Sequence, residues 1–265
     1  MTTTVTSEAL VETSAIRACR LLRDNQSSMT RLDLSHKYIC DDGGCRVAQA
    51  LKENTHLRIL FVSNNHLGTR ATHTLCHAIR LHPSLTFLDL SHNRVGDDGA
   101  ESFAKILQQD PSLQTLTVLR LNHNKIGTRG AMAISQSLLT NTTLTSLELM
   151  DNFIGVQGMQ ALAAMLPSNN SLHHLHLAGN PGGHHSYEAF LAAVHTHPTT
   201  LQEITVDGAQ GDLQFHLDLS RFGRECIQNY DIPQALWGFI FAKVSNNLKL
   251  LHVLVCGRPE IFMTK

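Results

Sequence analysis

Apolar residues recur along this chain with two alternating spacings. A short segment of the form LxxLxL is followed by a longer one in which apolar residues fall at every third or fourth position. Alternation at every second residue predicts a strand with one buried face, and the longer spacing predicts an amphipathic helix. The pair of patterns occurs six times, starting at Met29, Leu57, Leu85, Leu116, Leu144 and Leu172. The chain is therefore predicted to be a tandem array of strand–helix units.

Each unit after the first carries an asparagine at the same place behind its strand. The clearest copies read LTFLDLSHNRVGDDG, LTVLRLNHNKIGTRG and LTSLELMDNFIGVQG. The asparagines lie 28 residues apart, or 31 where Pro111 marks a longer connection: Asn65, Asn93, Asn124, Asn152 and Asn180. An amide side chain both donates and accepts hydrogen bonds, so it can bond its own turn and the neighbouring one. We expect a ladder that begins after Lys37, which holds the position in the first unit, and ends at Asn180.

The pattern LxxLxLxxNxΦGxxG, where Φ is apolar, resembles the leucine-rich repeat. Its length and the helix after the asparagine resemble the ribonuclease-inhibitor-like subfamily, shared with Ran GTPase-activating protein and the repeat regions of NOD-like receptors. The resemblance covers roughly residues 29–206. It implies an α/β leucine-rich repeat solenoid, a curved horseshoe with a parallel sheet on the concave face and helices on the convex face. Curvature is also expected because strands lie ~4.8 Å apart whereas helices need ~10 Å.

The array predicts three segments. Residues 1–28 are expected to form an N-terminal helical cap, because helical spacing relates Leu10, Ala15, Ala18, Cys19 and Leu22. Residues 29–206 hold six full repeats plus a seventh strand. Residues 207–265 are predicted to be an irregular connection followed by a helix and strand that cap the other end. The apolar stripe around Trp237 in that helix has the alternative reading of a partner-binding face.

Composition argues against several functions. The net charge is −1, without a long run of either sign, so binding of nucleic acid or of a membrane surface is not expected. Neither a secretory signal nor an apolar run of ~20 residues is visible. Six cysteines lie far apart, and we expect reduced thiols, with Cys76 at an inward helix position. The expected location is cytoplasmic.

The strand residues beside the buried leucines supply the candidate partner-binding surface. Apolar side chains adjoin one another there, with charged residues beside them: Ile59, Phe61, Phe87, Asp89, Val118, Arg120 and Glu148. An apolar centre with a charged rim is typical of a protein-binding hot spot. Two alternatives stay open: β-propensity alone placed these residues in strands, or the C-terminal segment folds back over them.

Histidines form a second candidate group among the 17 in the chain. His174 and His176 share one strand face and extend the partner-binding surface. Paired histidines can hold zinc, but no carboxylate or thiol partner is visible, so we expect solvated side chains and no metal. A pH-sensitive contact surface is the alternative reading.

Signals of catalysis are few. The chain has no nucleophile elbow, phosphate loop, zinc-protease motif or dinucleotide fingerprint, so we expect a non-enzyme without cofactor or small-molecule substrate. The first hypothesis is an adaptor or inhibitor that binds a protein on the concave face. Small free-standing repeat proteins of this kind also resemble effectors that intracellular bacteria deliver into host cells, which would place the protein in the host cytosol.

Two other functional classes remain. A GTPase-activating regulator would use a loop residue such as Arg70 or Arg129, which recur in G-T-R and are expected to be solvated loop residues. A ligase would have its activity in 207–265, where Cys226 and Cys256 lack a recognisable catalytic setting.

Overall fold

The structure, a computed structural model, describes residues 7–108, 115–196 and 200–208, together with Leu213 and Leu217. The chain divides into two compact units, residues 1–217 and 218–265, and every described residue belongs to the first unit. The helix and strand that the sequence predicts after Pro233 lie outside the described residues. Among those described, no helix combines the length and the apolar content needed to cross a membrane.

Seven helices and seven strands alternate along the described residues. Each strand is three residues long, so a unit consists of a short extended segment, a turn and a returning helix. The order is α1 (Ser7–Arg23), β1 (Arg31–Asp33), α2 (Cys40–Leu51), β2 (Ile59–Phe61), α3 (Thr69–Ile79), β3 (Phe87–Asp89), α4 (Gly96–Leu107), β4 (Val118–Arg120), α5 (Thr128–Leu138), β5 (Ser146–Glu148), α6 (Val156–Met165), β6 (His174–His176), α7 (Gly183–Thr196) and β7 (Glu203–Thr205).

The strands form one parallel sheet in chain order, from β1 to β7. Neighbouring strands are parallel because each helix carries the chain back to the start of the next strand. Leu32 pairs with Leu60, and the same register continues to Leu175 and Ile204. This single sheet with its returning helices confirms the predicted leucine-rich repeat solenoid.

The core lies between the sheet and the helices. The central residue of every strand is buried: Leu32, Leu60, Leu88, Leu119, Leu147, Leu175 and Ile204. Burial of each such side chain contributes about 1.5–3 kcal/mol before the cost of chain entropy. Cys76 lies in this core, as its small inward position predicted, and burial raises the pKa of its thiol.

Helix α1 packs against α2 at the start of the array. Ala15, Ala18, Cys19 and Leu22 are buried, as their helical spacing predicted, whereas Ile16 is exposed. The end of α1 is also tied to the next unit, because the Asn54 amide donates to the carbonyl of Leu22 over 3.0 Å. Helix α1 therefore continues the stack of repeat helices by one layer.

Candidate protein-interaction surfaces

The sheet face opposite the helices brings the predicted partner-binding residues together. Strand register places Ile59 beside Phe87 and Phe87 beside Val118. On the other side of the buried leucines, the same register aligns Phe61, Asp89, Arg120 and Glu148 across four neighbouring strands. We call the resulting surface the sheet patch, and its members are Ile59, Phe61, Phe87, Asp89, Val118, Arg120 and Glu148.

Two phenylalanine rings form the centre of the sheet patch. The ring centroids of Phe61 and Phe87 are 5.0 Å apart, with 46° between the planes. The guanidinium of Arg31 lies 4.5 Å from the Phe61 centroid, and that of Arg120 lies 5.1 Å from the Phe87 centroid. Cations over aromatic faces stabilise such an arrangement. The two rings, which the sequence predicted to face solvent, are therefore half-buried beneath arginines.

The charged members of the sheet patch make contacts within the sheet. Arg120 Nε lies 2.8 Å from Glu148 Oε1, an ion pair in which Nε makes no hydrogen bond. The other Glu148 oxygen accepts from the Asn122 amide over 2.7 Å. Asp89, expected at a solvated rim, is buried instead, and its carboxylate accepts from the Ser91 backbone N–H over 2.9 Å. Asp89 therefore braces the strand end.

The two predicted histidines of β6 face partners on β7. His174 Nδ1 lies 3.4 Å from a Glu203 carboxylate oxygen, and His176 Nδ1 lies 3.3 Å from the Thr205 hydroxyl. The repeat register places Glu203 in the same column as His174, but we did not expect this carboxylate as a partner of the histidine. Within the described part of the chain, no cluster of three or more His, Cys, Asp or Glu residues is placed to hold a metal ion.

The repeat asparagines line the ends of the strands and bond across units. Asn152 Oδ1 accepts from the backbone N–H groups of Asn124 and Ile126, at 2.9 and 3.0 Å. Its amide nitrogen donates to the carbonyls of Leu121 and Leu149. Comparable bonds to the preceding unit are made by Asn65, Asn93, Asn124 and Asn180. We call this set the strand-end ladder.

A second set of side chains, which the sequence analysis missed, lines the starts of the strands. Asn54, His82, Asn141 and Asn169 each lie three residues before the leucine that begins a unit. Asn54 Oδ1 accepts from the N–H groups of His56 and Leu57, within its own turn. The constant distance of these four residues from the first leucine of a unit was the sequence signal that could have revealed them. We call this set the strand-start ladder.

His82 is the exception in the strand-start ladder. Its Nδ1 accepts from the N–H groups of Ser84 and Leu85, at 3.4 and 3.2 Å. The buried Nε2 has no hydrogen-bond partner within the described chain, although asparagine in this position donates to the preceding unit. Burial lowers the pKa of the imidazole to about 4, so His82 is neutral at physiological pH.

Arg70 and Arg129 lie in the first turns of α3 and α5, not in the loops where we expected them. Each forms an ion pair with an aspartate of the preceding unit, Arg70 with Asp42 and Arg129 with Asp98. The hydrogen bonds that the two guanidiniums donate to these carboxylates raise the pKa of both arginines. The two arginines therefore join neighbouring helices.

The aspartates next to these pairs cap the following helix. Asp97 Oδ1 accepts from the N–H groups of Gly127 and Gly130, at 2.7 and 2.9 Å. Asp41 does the same for Gly68 and Ala71 in the earlier pair of units. D-D-G occurs in the first and third units and G-T-R in the second and fourth, which is the sequence signal for this pairing.

Comparisons with known proteins agree with the repeat architecture. A family model described as "Leucine Rich repeat" matches residues 82–104, 112–135 and 140–163. No curated protein matches the chain.

Two similar solved structures have low scores. The leiomodin-1 actin-binding site 2 has 16% identity and a TM-score of 0.38, over 80% of this chain and 92% of that one. The Caenorhabditis elegans tropomodulin C-terminal domain has 9% identity and a TM-score of 0.34, over 82% and 98%. Similarities this low say nothing about partners. The three matched repeats and the continuous parallel sheet agree on a leucine-rich repeat fold.

Proposed function

We propose that this protein binds a protein partner through the sheet patch. The observation that carries the proposal is the Phe61–Phe87 pair, whose rings are 5.0 Å apart and half-exposed on the face opposite the helices. Ring pairs of this kind act as anchors in protein interfaces, because they bury a large apolar area at a low cost in side-chain entropy. His174 and His176 extend the proposed surface along β6.

The surroundings of the rings indicate the chemistry of the partner. Arg31 is exposed and covers Phe61, whereas Arg120 is already paired with Glu148. A partner that inserts an apolar side chain against the rings buries their exposed apolar surface, and a carboxylate beside that side chain reaches Arg31. We therefore infer a partner with an aromatic or aliphatic anchor next to an acidic residue.

We infer a non-enzymatic role, that of an adaptor or an inhibitor. The acidic groups of the sheet patch are engaged in holding the surface together, since Asp89 caps the strand end and Glu148 pairs with Arg120. These contacts favour a preorganised docking surface, which lowers the entropy cost of binding. Membership of the ribonuclease-inhibitor-like subfamily and a bacterial effector origin stay predictions.

Regulation of a GTPase is the weaker hypothesis. An arginine that assists phosphoryl transfer must reach the nucleotide. Arg129 instead contacts Asp98 and lies 3.2 Å from Glu101, and Arg70 contacts Asp42. Hydrolysis assays across a panel of small GTPases, with Arg70→Ala and Arg129→Ala as comparisons, test this hypothesis. An arginine-dependent acceleration would replace our proposal.

The proposal is tested by quantitative affinity capture with the protein and with a Phe61→Asp/Phe87→Asp variant. We expect the true partners to bind the variant at least about tenfold more weakly, because hot-spot aromatics contribute more than about 2 kcal/mol. Met132→Asp is the matched control, since Met132 is an exposed apolar residue on helix α5. It should retain all partners.

Folding of each variant is checked by its Tm. If the double aspartate variant unfolds, Phe61→Ser/Phe87→Ser removes the rings without adding charge and tests the same surface. Identical sets of captured proteins for the folded variants and the native protein would remove the sheet patch from consideration.

A further inference from the structure

A row of exposed side chains lies behind the strand ends, outside the sheet patch. Each member directly follows the ladder position of its unit: Tyr38, His66, Arg94, Lys125 and Phe153. We call these residues the loop row. Tyr38 and Phe153, at its two ends, are 62% and 63% exposed. Both side chains therefore offer apolar surface to another molecule.

The backbone holds three members of the loop row in a strained conformation. Tyr38, His66 and Lys125 have φ values of 51°, 59° and 59°. This left-handed region favours glycine and asparagine. His36, His92 and His123, each one residue before a ladder position, occupy the same region, so the conformation recurs in these turns.

The strand-end ladder produces this conformation. Where one asparagine oxygen accepts both N–H groups that flank a loop-row residue, that residue is left-handed. Asn65 does this around Tyr38, Asn93 around His66 and Asn152 around Lys125.

Two members of the loop row lack this arrangement. Only one flanking N–H is bound next to Arg94, where Asn124 accepts from Val95, and next to Phe153, where Asn180 accepts from Ile154. Neither Arg94 nor Phe153 has a positive φ. The ladder therefore fixes the direction in which the loop row projects.

The cations of the loop row are available to a ligand. Among the described residues, neither Arg94 nor Lys125 has an ion-pair partner. The nearby acidic residues are used elsewhere: Asp98 pairs with Arg129, Asp97 caps α5, and Asp151 lies 3.1 Å from His123 Nε2. The centre of the row is thus positively charged between two aromatic ends.

We propose that the loop row binds an extended acidic segment of a protein. Carboxylates of the segment would lie along Arg94 and Lys125, and apolar residues at its ends would contact Tyr38 and Phe153. Four strand spacings separate these ends, about 19 Å, which corresponds to about six residues of extended chain. This surface is separate from the sheet patch and does not depend on the proposed function.

A protein segment fits this surface better than a nucleic acid. Single strands of nucleic acid are gripped by grooves with many cations and a sequence of stacking aromatics. Here two cations without an ion-pair partner among the described residues lie between single aromatic ends, which is too few of either kind for such a groove.

The test uses a fluorescein-labelled peptide of six glutamates with tryptophan at each end, measured by fluorescence anisotropy at low ionic strength. We expect the full chain to bind it and added salt to weaken binding. Arg94→Glu/Lys125→Glu should raise Kd by at least about tenfold. The matched control is Arg80→Glu/Lys105→Glu, which reverses an exposed cation at the C-cap of α3 and another within α4 and gives the same net charge. Its Kd should stay within about twofold.

Each other outcome would overturn the proposal. Failure of the native chain to bind the peptide removes it, as does an equal loss in the control variant, which would reflect net charge alone. Tighter binding of a short oligouridylate, with the same dependence on Arg94 and Lys125, would reassign the loop row to nucleic acid. The Phe61→Asp/Phe87→Asp variant should bind the peptide normally, so failure here is distinguishable from failure of the sheet patch.

Discussion

Asparagines at the starts and at the ends of the strands satisfy backbone hydrogen-bonding groups in two different ways. At the strand starts, the side-chain oxygen of Asn54 accepts hydrogen bonds within its own turn, and only its amide nitrogen donates to the preceding unit. At the strand ends, Asn152 sends both its acceptor and its donor into the preceding unit. Both satisfy backbone groups that the short strands leave without partners.

The difference accounts for the left-handed residues of the loop row at the strand ends. An acceptor that reaches into a neighbouring loop draws two N–H groups together and turns the residue between them left-handed, as at Lys125. An acceptor used locally imposes nothing on its neighbour. Asparagine thus has a purely structural role at the strand starts, whereas at the strand ends it also positions residues of the loop row.

The largest expected effect is that of Asn152→Ala. It removes five hydrogen bonds to buried backbone groups, so we expect the free energy of unfolding to fall by about 4 kcal/mol. Urea denaturation measures the loss. The folded variant should also bind the acidic peptide more weakly, because Lys125 is no longer held.

Asn169→Ala is the counterpart at the strand starts. It should cost about 2 kcal/mol and leave peptide binding unchanged, since Asn169 contacts no residue of the loop row. Equal effects of the two variants on peptide binding would contradict the distinction between the strand starts and the strand ends.

The next effect is a pH dependence that arises from His82. Its pKa is about 4 in the folded protein, against 6.5 for a solvated imidazole. The unfolded state therefore binds a proton first as the pH falls, and stability is lost between pH 6.5 and 4. That loss is on the order of 3 kcal/mol and can be followed by urea denaturation at several pH values.

His82→Asn provides the control for this pH dependence. Asparagine restores the amide donor that the other members of the strand-start ladder have, so the variant should be more stable near pH 5 and should lose the His82 contribution to the profile. An unchanged pH profile would show that His82 is not the titrating group.

A smaller effect separates the two aspartates of the repeated D-D-G motif. Asp97→Ala removes a cap that accepts from two N–H groups of the next unit, so it should cost about 2 kcal/mol. Asp98→Ala breaks only an exposed ion pair with Arg129 and should cost less than about 1 kcal/mol. Thermal denaturation compares them, and the reverse order would refute the capping role.

The smallest effect concerns backbone strain in the loop row. Lys125→Gly relieves a left-handed lysine but adds freedom to the unfolded chain, so stability should change by less than about 1 kcal/mol, in the favourable direction. Arg94→Gly, at a position without positive φ, should be destabilising by about 1 kcal/mol. A destabilised Lys125→Gly would show that no strain is stored there.

Much of the fold could be predicted because leucines and asparagines recur with the same spacing in each repeat. The leucine alternation gave the buried strand centres, and the recurring asparagine gave the position of the strand ends. His174 and Glu203 occupy the same column of neighbouring units, so the register predicts that they are neighbours, but it does not give the side-chain directions that bring Nδ1 to the carboxylate.

The candidate site was predicted less completely, because side-chain directions depend on neighbouring strands. The apolar column suggested the sheet patch, but not that Arg31 would cover Phe61 or that Asp89 would turn to its own backbone. The strand-start ladder was missed because histidine and asparagine share its positions, which hides the pattern. The positions of the loop row follow from the repeat spacing, but the left-handed conformation of three members depends on hydrogen bonds that the spacing does not show.

The most direct test of the sheet patch is site-specific photocrosslinking. A benzoylphenylalanine placed at Phe87 keeps an aromatic ring at the centre of the patch, and the same probe at Met132 reports on helix α5. Our account predicts a crosslinked protein partner from position 87 and none from position 132. Crosslinks from 132 alone, with none from 87, would show that the partner binds the helical side.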